Sequence, residues 1–434
     1  MTRLSRPHRA WLVAAVAFVA LIGAAGFRAT PGVLMVPLQE EFGWSADQTS
    51  LAVAVNLVLY GLTAPFAAAL MNRFGIRPVV TVALVLVSAG SGLTVFMTAS
   101  WQLVLCWGFL VGLGTGSMAL VFAATVAERW FEQRRGLVVG VLTAGGATGQ
   151  LIFLPVLAVL AEDGGWRTAS LVVALAALAV VPLVLAVLRN HPSDVGLRPY
   201  GATADVPPPQ IPKGAARVAL RTLAEASRRP VFWLLAGGFF ICGMSTNGLV
   251  GTHFIPAAHD HGMPQTTAAG LLAVIGIFDV LGTIFSGWLT DRVDPRWLLG
   301  WYYALRGLSL FVLPVLFADG VHPGMLVFIL FYGLDWVATV PPTVALARRA
   351  FGVSGTIVFG WVFASHQLGA AAAAGLAGLI RADLGTYDPA WYVAGALCLG
   401  AAVMSIAVRT SPERLRQPAE TQEEAAPAAD AQVT

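Results

Sequence analysis

The stretch "ALMNRFGIRP" at residues 69–78 has a counterpart in "GWLTDRVDPR" at residues 287–296. Asn72-Arg73 and Asp291-Arg292 are offset by 219 positions, as are Gly43 and Gly262. Each basic stretch closes one apolar run and opens another. The chain therefore reads as two copies of one helical unit laid end to end.

Working outward, the flanking runs set the class. The chain has 434 residues, of which 57% are hydrophobic and only 11% charged, and its mean hydropathy is +0.75. Soluble domains carry about 25% charged residues. Twelve apolar runs recur, near 11–36, 49–71, 78–98, 101–127, 136–161, 168–188, 231–256, 265–289, 296–318, 323–347, 354–380 and 389–408. Each is close to the roughly 20 residues that carry a helix across a bilayer. The expected fold is an all-α integral membrane protein. The first run is too long for the apolar core of a signal peptide, and "FRATPG" is a poor cleavage site, so it is expected to remain as the first span.

Arginine sets the expected orientation, because short loops rich in Lys or Arg stay cytoplasmic. Of 26 basic residues, 22 fall in the N-terminus, the even-numbered loops and the C-terminus, while the odd loops hold Arg167 and Arg381. Both termini are thus expected inside. Arginine outnumbers lysine 25 to one, which points to a GC-rich bacterial genome and hence to the inner (plasma) membrane. Cys106, Cys242 and Cys398 lie in apolar runs and suggest no disulfide or metal framework. No cofactor and no nucleic-acid partner are expected; the bilayer is the expected surround, with the chain acting as a monomer.

The widest break, rich in Pro, Gly and charge, runs from residue 189 to 230 and divides the spans six to six. The expected organisation is an N-terminal six-helix bundle (1–188), a cytoplasmic linker (189–230), a C-terminal six-helix bundle (231–409) and a disordered cytoplasmic tail (410–434). Within the linker, "GAARVALRTLAEASRR" reads either as an amphipathic surface helix or as solvated chain.

The loop pattern resembles that of a major facilitator superfamily transporter, whose motif between spans 2 and 3 is roughly Gly-x-x-x-Asp-Arg-x-Gly-x-Arg. Ala68, Asn72, Arg73, Gly75 and Arg77 occupy it in the first copy, with two positions altered. Gly287, Asp291, Arg292 and Arg296 occupy it in the second. The resemblance implies two six-helix bundles around a central cavity, with this loop pinning the helices on the cytoplasmic side. A narrower resemblance, to the monocarboxylate and oxalate/formate branch, rests on "RATPGVLMVPLQEEFGWS" (28–45), "ERWFEQRRGLVVGVLTAGGATGQLIFLP" (128–155) and "GWR" (165–167). It implies a secondary carrier of small organic anions rather than an enzyme. Two positions depart from that branch. Thr283 stands where an arginine is usual four residues after Asp279, and Gly32 stands near the usual lysine of span 1.

Two arginines lie within spans, Arg28 and Arg306. Folding the chain at its turns sets Asp279, Arg306, Asp335 and His366 at one depth, roughly 15–20 Å from a membrane surface at about 1.5 Å per residue. Arg28 and Asn56 share a depth in the first half. Buried charges cost about 2.5–3.5 kcal/mol or more each, so they pair or face a cavity. Two readings stand for Asp279, Arg306 and Asp335: a structural ion-pair network, or a proton-coupling group. The planar guanidinium of Arg28 matches a carboxylate, and snorkelling outward is its alternative. Asn56, Tyr60, Asn247, Gln150 and His366 are candidates to complete the substrate site, or else to bond helix to helix. The two arginines balance the two aspartates, so an anion entering with one proton leaves the cavity neutral. Proton–anion symport is the expected mechanism. Proton-coupled efflux of drugs or metabolites is the alternative.

Overall fold

The computed structural model of the protein describes residues 8–44, 46–203 and 214–409. The tail expected to be disordered lies outside the described residues. Twelve membrane helices follow in order: α1 (Arg9–Phe42), α2 (Ala46–Phe74), α3 (Ile76–Leu93), α4 (Ser100–Trp130), α5 (135–164) and α6 (166–187). After the linker come α7 (Pro230–Asp260), α8 (Gln265–Thr290), α9 (Pro295–Leu316), α10 (323–351), α11 (Gly355–Leu384) and α12 (Asp388–Ile406).

In hydrocarbon every backbone N–H and C=O needs an internal partner, so apolar runs of this length become helices. Eleven stretches of the described residues are long and apolar enough to cross. One of them, Pro323–Arg381, is 59 residues long. At 1.5 Å per residue it measures about 90 Å, far more than one crossing of a roughly 30 Å core. It folds back at Gly352, which takes φ 56, and so supplies α10 and α11. Where a loop is expected between spans 5 and 6, the helix runs on and turns only at Gly165 (φ 75, ψ 165). A side chain would strain that backbone.

Within the first half α1 packs on α5 and α6, and within the second α9 packs on α12 and α7 on α11. The halves meet along α5 with α8 and along α2 with α11. The two seams are copies of one another under the sequence repeat, since α2 corresponds to α8 and α5 to α11. Both are backbone-close. A Cβ on Gly140 would sit 2.6 Å from the Thr283 carbonyl oxygen, and one on Gly360 would sit 2.6 Å from Pro65 Cα. Small residues of this kind let membrane helices approach closely enough to gain dispersion contacts.

The two ends of the described chain lie on the same side as the linker. His8 meets the Tyr200 ring at 5.6 Å, and Arg296 at the start of α9 donates to the Val408 carbonyl at 3.5 Å. The linker segment forms a helix, Ala215–Ala226, with Ala215, Ala219, Thr222 and Ala226 buried and Leu220 exposed. Trp361 Nε1 on α11 donates to the Ala219 carbonyl at 3.1 Å. This side, which also carries the arginine-rich loops, is called the arginine-rich side below.

Candidate functional site

Between the halves lies a cavity of about 570 Å³. Its walls come from α1, α2, α4, α5, α7, α8, α10 and α11, while α3, α6, α9 and α12 contribute none of its lining. It reaches from Asp279, His366 and Tyr60 in mid-membrane to Ile255 and Ala269 near the α7–α8 turn. Its surface is mainly aliphatic, with a few hydroxyls, Asn247, Gln367, His366 and Asp279. That is the usual character of a small-molecule site: apolar walls with a few orienting polar groups.

The polar corner is built on a break in α10. Residues 336–339 interrupt the regular helical hydrogen-bond ladder between Asp335 and Val340, immediately before Pro341 and Pro342. Prolines lack the N–H groups that would serve the carbonyls of Val337 and Ala338. Other groups serve them: Val340 N donates to Val337 O at 3.0 Å, and the Ser286 hydroxyl donates to Ala338 O. The N–H of Val337, freed by the break, donates to Asp279 Oδ1 at 3.0 Å, and Thr283 Oγ1 donates to the same oxygen at 2.9 Å.

Arg306 closes the other edge of the break. Its Nε donates to Asp335 Oδ2 at 2.6 Å, and its Nη2 donates to the carbonyls of Asp335 (2.6 Å) and Trp336 (3.3 Å). A cation is thereby held at the C-terminus of the first α10 segment, where orphan carbonyls concentrate negative potential. Nη1 donates to Cys242 Sγ at 3.0 Å and to Ser245 Oγ at 3.4 Å. Arg306 is 1% exposed and does not line the central cavity. It lines a separate apolar pocket of about 250 Å³ between α8, α9 and α10. Asp279 does line the central cavity, and among the described residues no cation lies within ion-pair distance of it.

The other candidate residues separate by place. Tyr60, Asn247 and His366 line the cavity. The Tyr60 ring meets Phe363 of the opposite half at 5.4 Å. Asn247 sits in a wide helical turn, Met244–Val250. Asn56 turns away, its Nδ2 donating to the Trp107 carbonyl at 2.7 Å. Arg28 lies on α1 and Gln150 on α5, and both side chains lie outside the described residues.

The loop motifs divide likewise. In the second copy, Asp291 accepts from the N–H groups of Gly136 (2.7 Å) and Leu137 (3.0 Å) at the start of α5, in the opposite half. A carboxylate at a helix N-terminus satisfies orphan donors and the helix dipole together. Gly287 abuts Gly136, and Arg292 rests on the Trp288 ring at 4.0 Å. In the first copy, Asn72 Oδ1 accepts from Arg129 Nη2 at 2.8 Å, and the motif stays within its own half. Gly75 (φ 94) makes room for Asn190, whose Oδ1 accepts from Arg77 N at 3.1 Å, and Arg73 lies over Phe74 at 4.9 Å.

Sequence reasoning did not single out Glu128, which accepts from the Thr356 hydroxyl and lies 3.9 Å from Arg348, so that it joins α4 to α10 and α11. It also passed over Ser286, and it named Cys242 and Thr283 without foreseeing their contacts with Arg306 and Asp279. The "VPP" at residues 340–342 was the available signal for the α10 break. The joining contacts of Asp291 and Glu128 both lie on the arginine-rich side.

Comparison with known proteins agrees with this fold. The family profile described as Major Facilitator Superfamily matches residues 16–357 and 254–432. Monocarboxylate transporter 11 of Homo sapiens is 30% identical over 412 residues, covering 91% of this chain and 82% of that protein. The uncharacterized MFS-type transporter YcxA of Bacillus subtilis is 26% identical over 373 residues, covering 84% and 86%. Among solved structures, the E. coli fucose:proton symporter FucP superposes with a TM-score of 0.72 at 14% identity, over 93% of this chain and all of that one. The proton:xylose symporter XylE superposes with a TM-score of 0.68 at 16% identity, over 92% and 96%.

Proposed function

The chain belongs to the Major Facilitator Superfamily and is a transporter, and from that premise we propose that it carries a small organic anion, monocarboxylate-like, together with a proton. The observation that carries this reading is the position of Asp279. It is a buried carboxylate on the wall of the central cavity, held by two neutral donors and by no cation among the described residues. Arg306 and Asp335 neutralise one another behind the wall. Asp279 is then the group free to exchange a proton with the cavity, and Arg28 on α1 the group to meet a carboxylate. The similarity to monocarboxylate transporters supports the same substrate class.

In this reading the arginine-rich side is cytoplasmic, with both termini inside, as the positive-inside rule requires. The contacts of Asp291 and Glu128 then close the cytoplasmic side, and the cavity faces outward. Binding an anion and a proton together adds no net charge to a low-dielectric cavity, so the loaded carrier reorients at low electrostatic cost. A second reading, proton-coupled efflux, draws support from the lining itself: apart from Asp279, the described walls are uncharged, which suits lipophilic or cationic solutes.

A thermal-shift screen of purified protein against short carboxylates and cationic drugs separates the two. The expected result is stabilisation by a carboxylate that is lost in Arg28→Gln, with a bound ligand at 100 times its Kd contributing about 2.7 kcal/mol. Stabilisation by cations or lipophilic drugs alone contradicts the anion reading and favours efflux.

A further inference from the structure

The cavity wall carries a thiol with no part in the transport scheme above. Of the three free cysteines, Cys242 lines the cavity, whereas Cys106 and Cys398 are buried away from it. The Cys242 thiol is 3.0 Å from Arg306 Nη1 and 3.3 Å from Thr339 Oγ1. Beside it stands His366, brought close because α7 and α11 touch here through Gly243. A Cβ on that glycine would lie 1.9 Å from the His366 carbonyl oxygen. One turn earlier on α7, the Phe239 ring meets His366 at 4.9 Å. His366 is 8% exposed, lines the same cavity, and among the described residues its Nδ1 has no hydrogen-bond partner. An unsatisfied ring nitrogen on a cavity wall awaits a polar atom from the cavity.

We propose that Cys242 is a covalent modification site for small α,β-unsaturated carbonyl compounds that enter the central cavity, with His366 receiving their carbonyl oxygen. Thiols beside a cation react more readily, because positive charge favours the thiolate that attacks. In the addition, Sγ bonds to the β-carbon as the alkene π bond breaks. The electron pair moves toward the carbonyl oxygen, which a proton on His366 Nδ1 hydrogen-bonds, and the proton lost by the thiol finishes on the α-carbon. Nothing leaves, and no oxidant is required. The adduct occupies the cavity and displaces the sulfur from Arg306 and Thr339, at the edge of the α10 break.

The test is peptide mass mapping of the intact, full-length protein after timed exposure to N-ethylmaleimide. The expected result is labelling of Cys242 at least about tenfold faster than Cys106 and Cys398, and slowing of Cys242 alone in His366→Gln. Cys242 left unlabelled until the protein unfolds, or all three cysteines labelled at one rate, overturns the site. An unchanged Cys242 rate in a folded His366→Gln protein overturns the role of the histidine. The comparison of the three cysteines in the native protein needs no variant and stands if His366→Gln fails to fold.

Discussion

Arg306 directs its guanidinium to Asp335, to the backbone carbonyls of the α10 break and to Cys242. Removing it leaves a buried carboxylate and two carbonyls without their donor. Arg306→Leu is therefore expected to cost about 3–5 kcal/mol, read as a large fall in unfolding temperature in detergent. The double variant Arg306→Met with Asp335→Leu recovers part of this and not all, because the carbonyls of Asp335 and Trp336 stay uncapped. Full recovery would show that the break needs no cap. The sequence placed Asp279, Arg306 and Asp335 at one depth, which follows from counting residues along antiparallel helices. It left open which aspartate Arg306 meets, because that depends on how α8, α9 and α10 rotate about their axes. Asp279 instead takes the backbone N–H of Val337, where the helical ladder of α10 is interrupted.

At the scale of elements, the seams between the halves rest on residues that lack a side chain. Gly140→Leu places its Cβ 2.6 Å from the Thr283 carbonyl and is expected to part α5 from α8. Spin labels on the two halves at the arginine-rich side then move apart, whereas an unchanged distance distribution contradicts the seam. The opposite ends are fastened within each half. Glu41 on α1 holds Arg167 at 2.6 Å, and Asp260 on α7 holds Arg381 at 2.7 Å. The two acids are themselves related by the 219-residue repeat. Hydrogen bonds from Arg167 and Trp166 hold the Glu41 carboxyl below its ordinary value of 4.5. A depressed folded-state pKa contributes stability above the unfolded value and loses it as pH falls through the folded one. The melting-temperature difference between the native protein and Glu41→Gln should hold steady above about pH 4.5 and shrink below it. A difference that persists into stronger acid contradicts the ion pair. The spans themselves were legible, since apolar length is a strong signal. The tight turn at Gly165 between α5 and α6 and the break in α10 were not, because single glycines and paired prolines alter a helix without interrupting its hydropathy.

At the scale of the whole molecule, the repeat seen in two short loops is the organising fact. It relates α2 to α8 and α5 to α11, and so makes one seam the image of the other. The copies have diverged in use: Asp291 crosses to the opposite half, while Asn72 binds Arg129 within its own. That asymmetry was visible as Asn against Asp, although its meaning required knowing what faced each. Asp291→Asn weakens a charge-assisted bond at the α5 N-terminus, and hydrogen exchange should quicken at Gly136 and Leu137. Unaltered protection there contradicts the latch. The central claim concerns Asp279, and the most direct measurement is the internal pH of proteoliposomes given an inward gradient of a carboxylate the protein binds. The account predicts acidification with the native protein, and in Asp279→Asn no acidification while exchange of the carboxylate persists. Uptake by the native protein without acidification, or acidification that survives in Asp279→Asn, would contradict it.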